Sequence, residues 1–114
     1  MGTALQTQGK CTEGAAGTQL LAEAVTAYRQ ALEVHTRAAL PQDWAMTQNN
    51  LGNALATQGK RTEAAAGTQL LAEAVTAYRN ALEVYTSEEF SRYHHLVKGN
   101  LATAEAVLAR RQRN

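Results

Sequence analysis

Isoleucine is absent from this chain of 114 residues, and proline, cysteine, tryptophan and phenylalanine occur once each. A single cysteine makes no internal disulfide, and no Cys/His spacing is that of a zinc site. Excess charge is missing too: 11 Lys+Arg against 10 Asp+Glu leave a formal net charge of +1. The whole-chain field that draws a protein to nucleic acid or to an acidic membrane is therefore lacking. No apolar run reaches the ~18 residues of a membrane span, and the opening Met1-Gly2-Thr3-Ala4-Leu5-Gln6 has neither the charged nor the apolar segment of a signal peptide. The expectation is one soluble, cytoplasmic domain in a reducing compartment, with no nucleic-acid or membrane partner.

What the chain has in quantity is itself. A shift of 50 places lays residues 2–36 on 52–86, and of those pairs six differ: Thr3/Asn53, Gln6/Ala56, Cys11/Arg61, Gly14/Ala64, Gln30/Asn80 and His35/Tyr85. The match then fades, and returns at Asn50-Leu51 against Asn100-Leu101. One complete unit, 41–90, is expected between a partial unit 1–40 and a partial unit 91–114.

Each unit reads as two helices. In the second, Leu71, Ala74, Val75, Tyr78, Ala81, Leu82 and Tyr85 form one apolar stripe at helical period. The same stripe stands one unit earlier, from Leu21 to His35. Thr68 and Thr18 are the expected N-caps. The first helix of the complete unit is expected to start near Asp43 and to end on a glycine cap at Gly59-Lys60. Its stripe is Trp44, Thr47, Leu51, Ala54 and Leu55. The last helix carries Phe90, His94, Val97, Leu101, Ala104 and Leu108, then Arg110, Arg111 and Arg113, which suit the negative end of its dipole. With few β-branched residues and no alternating runs, the fold class is all-α, with five helices of which the first is truncated.

The strings Leu51-Gly52-x2-Leu55 and Ala74-x3-Tyr78-x2-Ala81, with Ala24-x3-Tyr28-x2-Ala31 before them, resemble the tetratricopeptide repeat. The period of 50 is longer than that family's ~34, and Trp44-Ala45-Met46-Thr47-Gln48-Asn49-Asn50-Leu51-Gly52 is similar to its long-period branch, of the kinesin-light-chain and bacterial signalling-scaffold type. The resemblance implies a helical-hairpin solenoid of about two and a half repeats. It implies a non-enzymatic protein–protein interaction module, with the groove lined by first helices.

The residues offer little catalytic chemistry. Gly52, Gly59, Lys60, Arg61 and Thr62 imitate a phosphate loop, but the glycine spacing is wrong, no hydroxyl residue follows the lysine directly, and no strand precedes it. His94 and His95 are adjacent and so point ~100° apart on a helix; His94 sits at the position of Trp44 and suits a hydrogen-bonded boundary role. Cys11 is replaced by Arg61 in the repeat, which marks a variable loop position. Glu13, Glu23 and Glu33 recur as Glu63, Glu73 and Glu83, as solvated helix faces would. No enzyme activity, cofactor or metal is expected.

Two surfaces remain. Asn49, Asn50 and Asn53 crowd three mediocre helix formers into five positions, and an amide side chain both donates and accepts, as the backbone of an extended peptide requires. By count from Leu51-Gly52, the resemblance puts Asn50 and Asn53 in the groove. Asn100 repeats Asn50, and Lys98 stands near it as a carboxylate contact. Hydrogen bonding between repeats or plain solvation accounts for the same amides equally well. On the last helix, Leu96, Gly99, Thr103, Ala106 and Val107 form a second face that is apolar or small, whereas a terminal repeat normally turns a polar face outward. That face suggests a homodimer, removal from a longer array being the plainer alternative. The competing function is a self-assembling helical element.

Overall fold

The computed structural model describes residues 14–113, and within them four helices and no strand. They are α1 (Gly14–Val34), α2 (Pro41–Arg61), α3 (Ala64–Val84) and α4 (Ser91–Arg113). The truncated first helix of the expected five, with Cys11, lies outside the described residues. Starts at Pro41 and Ser91 repeat at the period of the sequence. None of the described helices is long and apolar enough to cross a membrane.

The links carry the repeat in their hydrogen bonds. Leu40 N–H donates to the Thr36 carbonyl, and Phe90 N–H donates to the Thr86 carbonyl. The Thr36 and Thr86 hydroxyls accept from the Ala39 and Glu89 N–H groups. These local turns compete with helix and stop the chain from running on. Pro41 then opens α2 at its first position, where the missing N–H is no loss. α2 therefore begins two residues before the expected Asp43.

Two further boundary expectations are corrected. α2 runs through Gly59 to Arg61 and is capped at Thr62, so Gly59 is an interior residue. α3 starts at Ala64, with Glu63 at the N-cap making no side-chain bond. Thr68 lies inside the helix, its hydroxyl donating back to the Ala64 carbonyl, and Thr18 falls likewise within α1. Ala64 itself has φ of 59°, a left-handed conformation that costs an L-residue about 1–2 kcal/mol. One period earlier the sequence has glycine, Gly14. Ala64→Gly should therefore raise the unfolding free energy in urea by about 1 kcal/mol; a loss of stability would show that the turn does not strain this residue.

Only Thr62 and Glu63 separate α2 from α3, so the two lie antiparallel, as short links require. At the far end of the same pair the Tyr85 hydroxyl donates to the Gln42 carbonyl. Each helix packs chiefly on its neighbours in sequence. α1 and α3 run parallel, joined by Arg29–Glu73 at 3.8 Å, and Arg37 of the link after α1 pairs with Glu83 of α3. Arg79–Glu105 at 2.8 Å ties α3 to α4. All three pairs are exposed, each worth about 0–1 kcal/mol, so they fix register more than stability.

The core supplies the stability. Leu71, Ala74, Val75, Tyr78, Ala81 and Tyr85 of the expected α3 stripe are buried, with Leu82 half-buried beside them. Leu51, Ala54 and Leu55 are buried on α2, and Val97 and Ala104 on α4. The glycines of α2 explain how closely these helices approach. A methyl group at Gly52 would stand 2.6 Å from the Tyr78 ring, and one at Gly59 would stand 2.8 Å from Leu71 Cγ. The pair that imitated a phosphate loop is thus packing surface.

Candidate functional site

α2 is flanked on two sides. One face meets α1 and α3, and the other approaches α4, which runs parallel to it: Asn100 Nδ2 donates to Asn49 Oδ1 at 3.1 Å, and Arg111 reaches the end of α2. Between α2 and α4 lies a recess of about 180 Å³, lined by Asn53, Ala56, Thr57 and Lys60 from α2 and by Asn100, Thr103 and Ala104 from α4, with Tyr78 of α3 between them. The α2 residues follow i, i+3, i+4, i+7 spacing, one face of one helix.

The expected asparagines divide by role. Asn53 and Asn100 both line the recess. Asn49 is only 4% exposed, and its carbonyl oxygen is engaged by Asn100. Asn50 is half-buried and makes contacts of its own. Lys98 is exposed on α4 and does not line the recess; the lysine that does is Lys60. Lys60 and Thr57 were legible on the same helical face as Asn53. Tyr78 was legible only as core.

Tyr78 is 2% exposed, and its hydroxyl donates to Asn53 Oδ1 at 2.6 Å. Burial raises its pKa far above the usual tyrosine value, so the phenol stays protonated and remains a donor. At the other end of α3, burial chiefly, and then Tyr93 and Asp43, raise the pKa of Tyr85. The Tyr85 ring stacks on Tyr93 at 4.9 Å and meets Phe90 edge-on at 5.5 Å. His94 is half-buried, with Nδ1 2.9 Å from the Tyr85 carbonyl, which requires that nitrogen to carry the proton. His95 is exposed.

A larger recess, of about 440 Å³, lies over the start of α3 and is lined by Glu63, Ala64, Ala65, Thr68 and Arg111. Its cation is already engaged: Arg111 Nη1 donates to the Thr62 carbonyl at 2.6 Å and Nη2 to the Lys60 carbonyl at 3.3 Å. The guanidinium thus caps carbonyls at the C-terminal end of α2, groups left without helical partners. Arg111→Ala should cost roughly 1.5 kcal/mol by denaturant unfolding, the low end for hydrogen bonds made by a charged group, since one acceptor is part-buried and the other exposed. The exposed Arg110→Ala should cost almost nothing. Equal effects would sink the capping assignment.

The second face of α4 is open. Leu96 is 51% exposed, Gly99, Thr103 and Ala106 are exposed, and Val107 is half-buried. A methyl group at Gly99 would meet nothing within 4 Å. Thr103 belongs to this face and to the recess at once. The chain matches no family model, no curated protein and no solved structure.

Proposed function

We propose that the chain is a non-enzymatic protein–protein interaction module, a tetratricopeptide-like helical-hairpin solenoid that takes an extended peptide between α2 and α4. The observation that carries this reading is the recess itself: two amides, two hydroxyls and one ammonium on a floor of small residues and a tyrosine. Such a lining satisfies a peptide backbone and tolerates varied side chains. Lys60 adds a site for a carboxylate of the peptide.

The test is selection of peptides from a random library on the purified chain, followed by titration of the enriched peptides against Asn53→Ala. Affinity should fall roughly tenfold, the equivalent of about 1.4 kcal/mol, with helicity unchanged. Unaltered affinity would remove the recess from the binding surface.

A second reading, self-assembly through α4, draws on the exposure of Leu96 and Tyr93, at 51% and 41%. Light scattering over a dilution series separates the two. A monomer throughout favours the peptide module. A dimer that persists on dilution and is lost in Leu96→Asp favours assembly.

A further inference from the structure

The near-neutral net charge conceals an asymmetry between the two ends of the helices. α2 and α4 finish side by side, since Arg111 of α4 donates to the Thr62 and Lys60 carbonyls. Their shared end carries Lys60, Arg61, Arg110, Arg111 and Arg113 against one described carboxylate, Glu63. The opposite end, where α1 and α3 stop and α2 and α4 start, carries Glu33, Asp43, Glu83, Glu88 and Glu89 against Arg37 and Arg92. The basic end follows the repeat of the chain, because Lys60 and Arg61 stand one period before Arg110 and Arg111. Helix dipoles do not account for so many cations. The C-terminal poles of α2 and α4 hold about −0.5 charge each, and the N-terminal pole of α3 beside them returns about +0.5. Ion pairs do not account for them either: Lys60, Arg110 and Arg113 are exposed, and no described carboxylate pairs with them. Arg111 is engaged by carbonyls, yet its charge adds to the same field.

We infer that this basic edge is a docking surface for an acidic segment of a partner protein, independent of what fills the recess. Lys60 stands where the edge meets the recess; the arginines lie beyond it. Packed helices stand roughly 8–10 Å apart. An extended segment advances ~3.1–3.4 Å per residue, so carboxylates about three residues apart reach both helix ends. Arginine forks take such carboxylates bidentately. A nucleic acid or a membrane suits the edge less well. Unpaired bases stack on exposed rings, and a bilayer takes up apolar side chains along with cations. Among the described residues the large apolar side chains that are exposed, Val34, Leu40, Tyr93 and Leu96, all belong to the opposite, acidic half. The carboxylates of that half repel an acidic segment and steer it to the basic edge.

The test titrates the whole 15N-labelled chain at low salt with acetyl-hexaglutamate amide. Acetyl-hexaglutamine amide, hexathymidylate and phosphatidylserine vesicles are the comparisons. Hexaglutamate should bind, with its NMR shifts gathered on residues 61–63 and 110–113, and hexaglutamine should not. Raised salt should weaken the binding about tenfold, because the edge is exposed and screened. Arg110→Glu sets a like charge against the probe and should weaken it several-fold. Arg92→Glu makes the same change of net charge at the opposite end and should change affinity far less. Both side chains are exposed, so helicity should be intact in each variant. Equal binding of hexaglutamate and hexaglutamine, or equal losses in the two variants, would overturn the docking surface. Shifts centred on Asn53 and Asn100 would place the acidic probe in the recess and overturn the separate edge. Tighter binding of hexathymidylate or of the vesicles would overturn the choice of a protein partner. None of these results bears on whether peptides enter the recess, so the two readings fail separately.

Discussion

Gly67→Ala should be the most damaging single-methyl change in the chain, destabilising it by about 3 kcal/mol or more. Elsewhere in a helix the same substitution is favourable by about 1 kcal/mol, because alanine is the better helix former. Gly67 differs in what surrounds it. An added Cβ would overlap the Thr62 carbonyl oxygen and Arg111 Nη1 and would stand 2.8 Å from the Thr62 carbonyl carbon. Two of those atoms are backbone, in the two-residue link that turns α2 into α3, so no rotamer change relieves the clash. The link must open, and the Thr62 carbonyl that Arg111 caps must move with it. Overpacking of this kind costs 1–3 kcal/mol and occasionally more. Gly99 is the internal control. Its methyl would meet nothing, so Gly99→Ala should stabilise by up to ~1 kcal/mol. Urea unfolding of the two variants side by side should give opposite signs; a stable Gly67→Ala would show that the turn is looser than its geometry.

The all-α class and most of the buried stripe were legible because both follow from a period of 3.6 residues, which the second helix of each unit displays in full. Boundaries were less legible. Thr68 has the residue type of an N-cap, yet α3 begins four residues earlier, because the chain leaves α2 through a link too short to delay the next helix. The glycines misled for a related reason. Gly59 reads as a cap in one dimension, whereas its place is set by Leu71 across the helix pair, 2.8 Å from where its methyl would stand. Asn49 shows the limit of a helical wheel. A wheel with one apolar stripe assigns the opposite face to water, but α4 covers that face of α2, and the asparagine is buried with its oxygen satisfied by Asn100. Arg111 was legible as a cation at its own helix end. Its acceptors, 49 and 51 positions away, belong to a neighbour that only packing supplies. The meeting of Asn53 and Asn100 in one recess was half legible, since a shared groove was expected and their hydrogen-bond partners, Tyr78 and Asn49, were not.

Tyr78→Ala should cost about 3–5 kcal/mol, the range for removing a buried aromatic ring, and its partner Gly52 makes that number separable into causes. The ring lies where a Gly52 methyl would stand, 2.6 Å from Cε1 and 2.7 Å from Cδ1. In the wild-type background Gly52→Ala must push Tyr78 aside. That strains the contact between α2 and α3 and pulls the hydroxyl from Asn53, for a loss of about 2–3 kcal/mol. Once the ring is gone, the same methyl enters the space it vacated. Gly52→Ala in the Tyr78→Ala background should then be stabilising by about 1 kcal/mol, from helix propensity together with partial filling of the cavity. The coupling between the two positions is thus expected to be large and to reverse the sign of the glycine substitution, which independent sites never do. Denaturant midpoints of the two single variants and the double variant measure it directly. If Gly52→Ala costs the same with and without the ring, the glycine is required for some reason other than Tyr78, and the close approach of α2 to α3 loses its explanation.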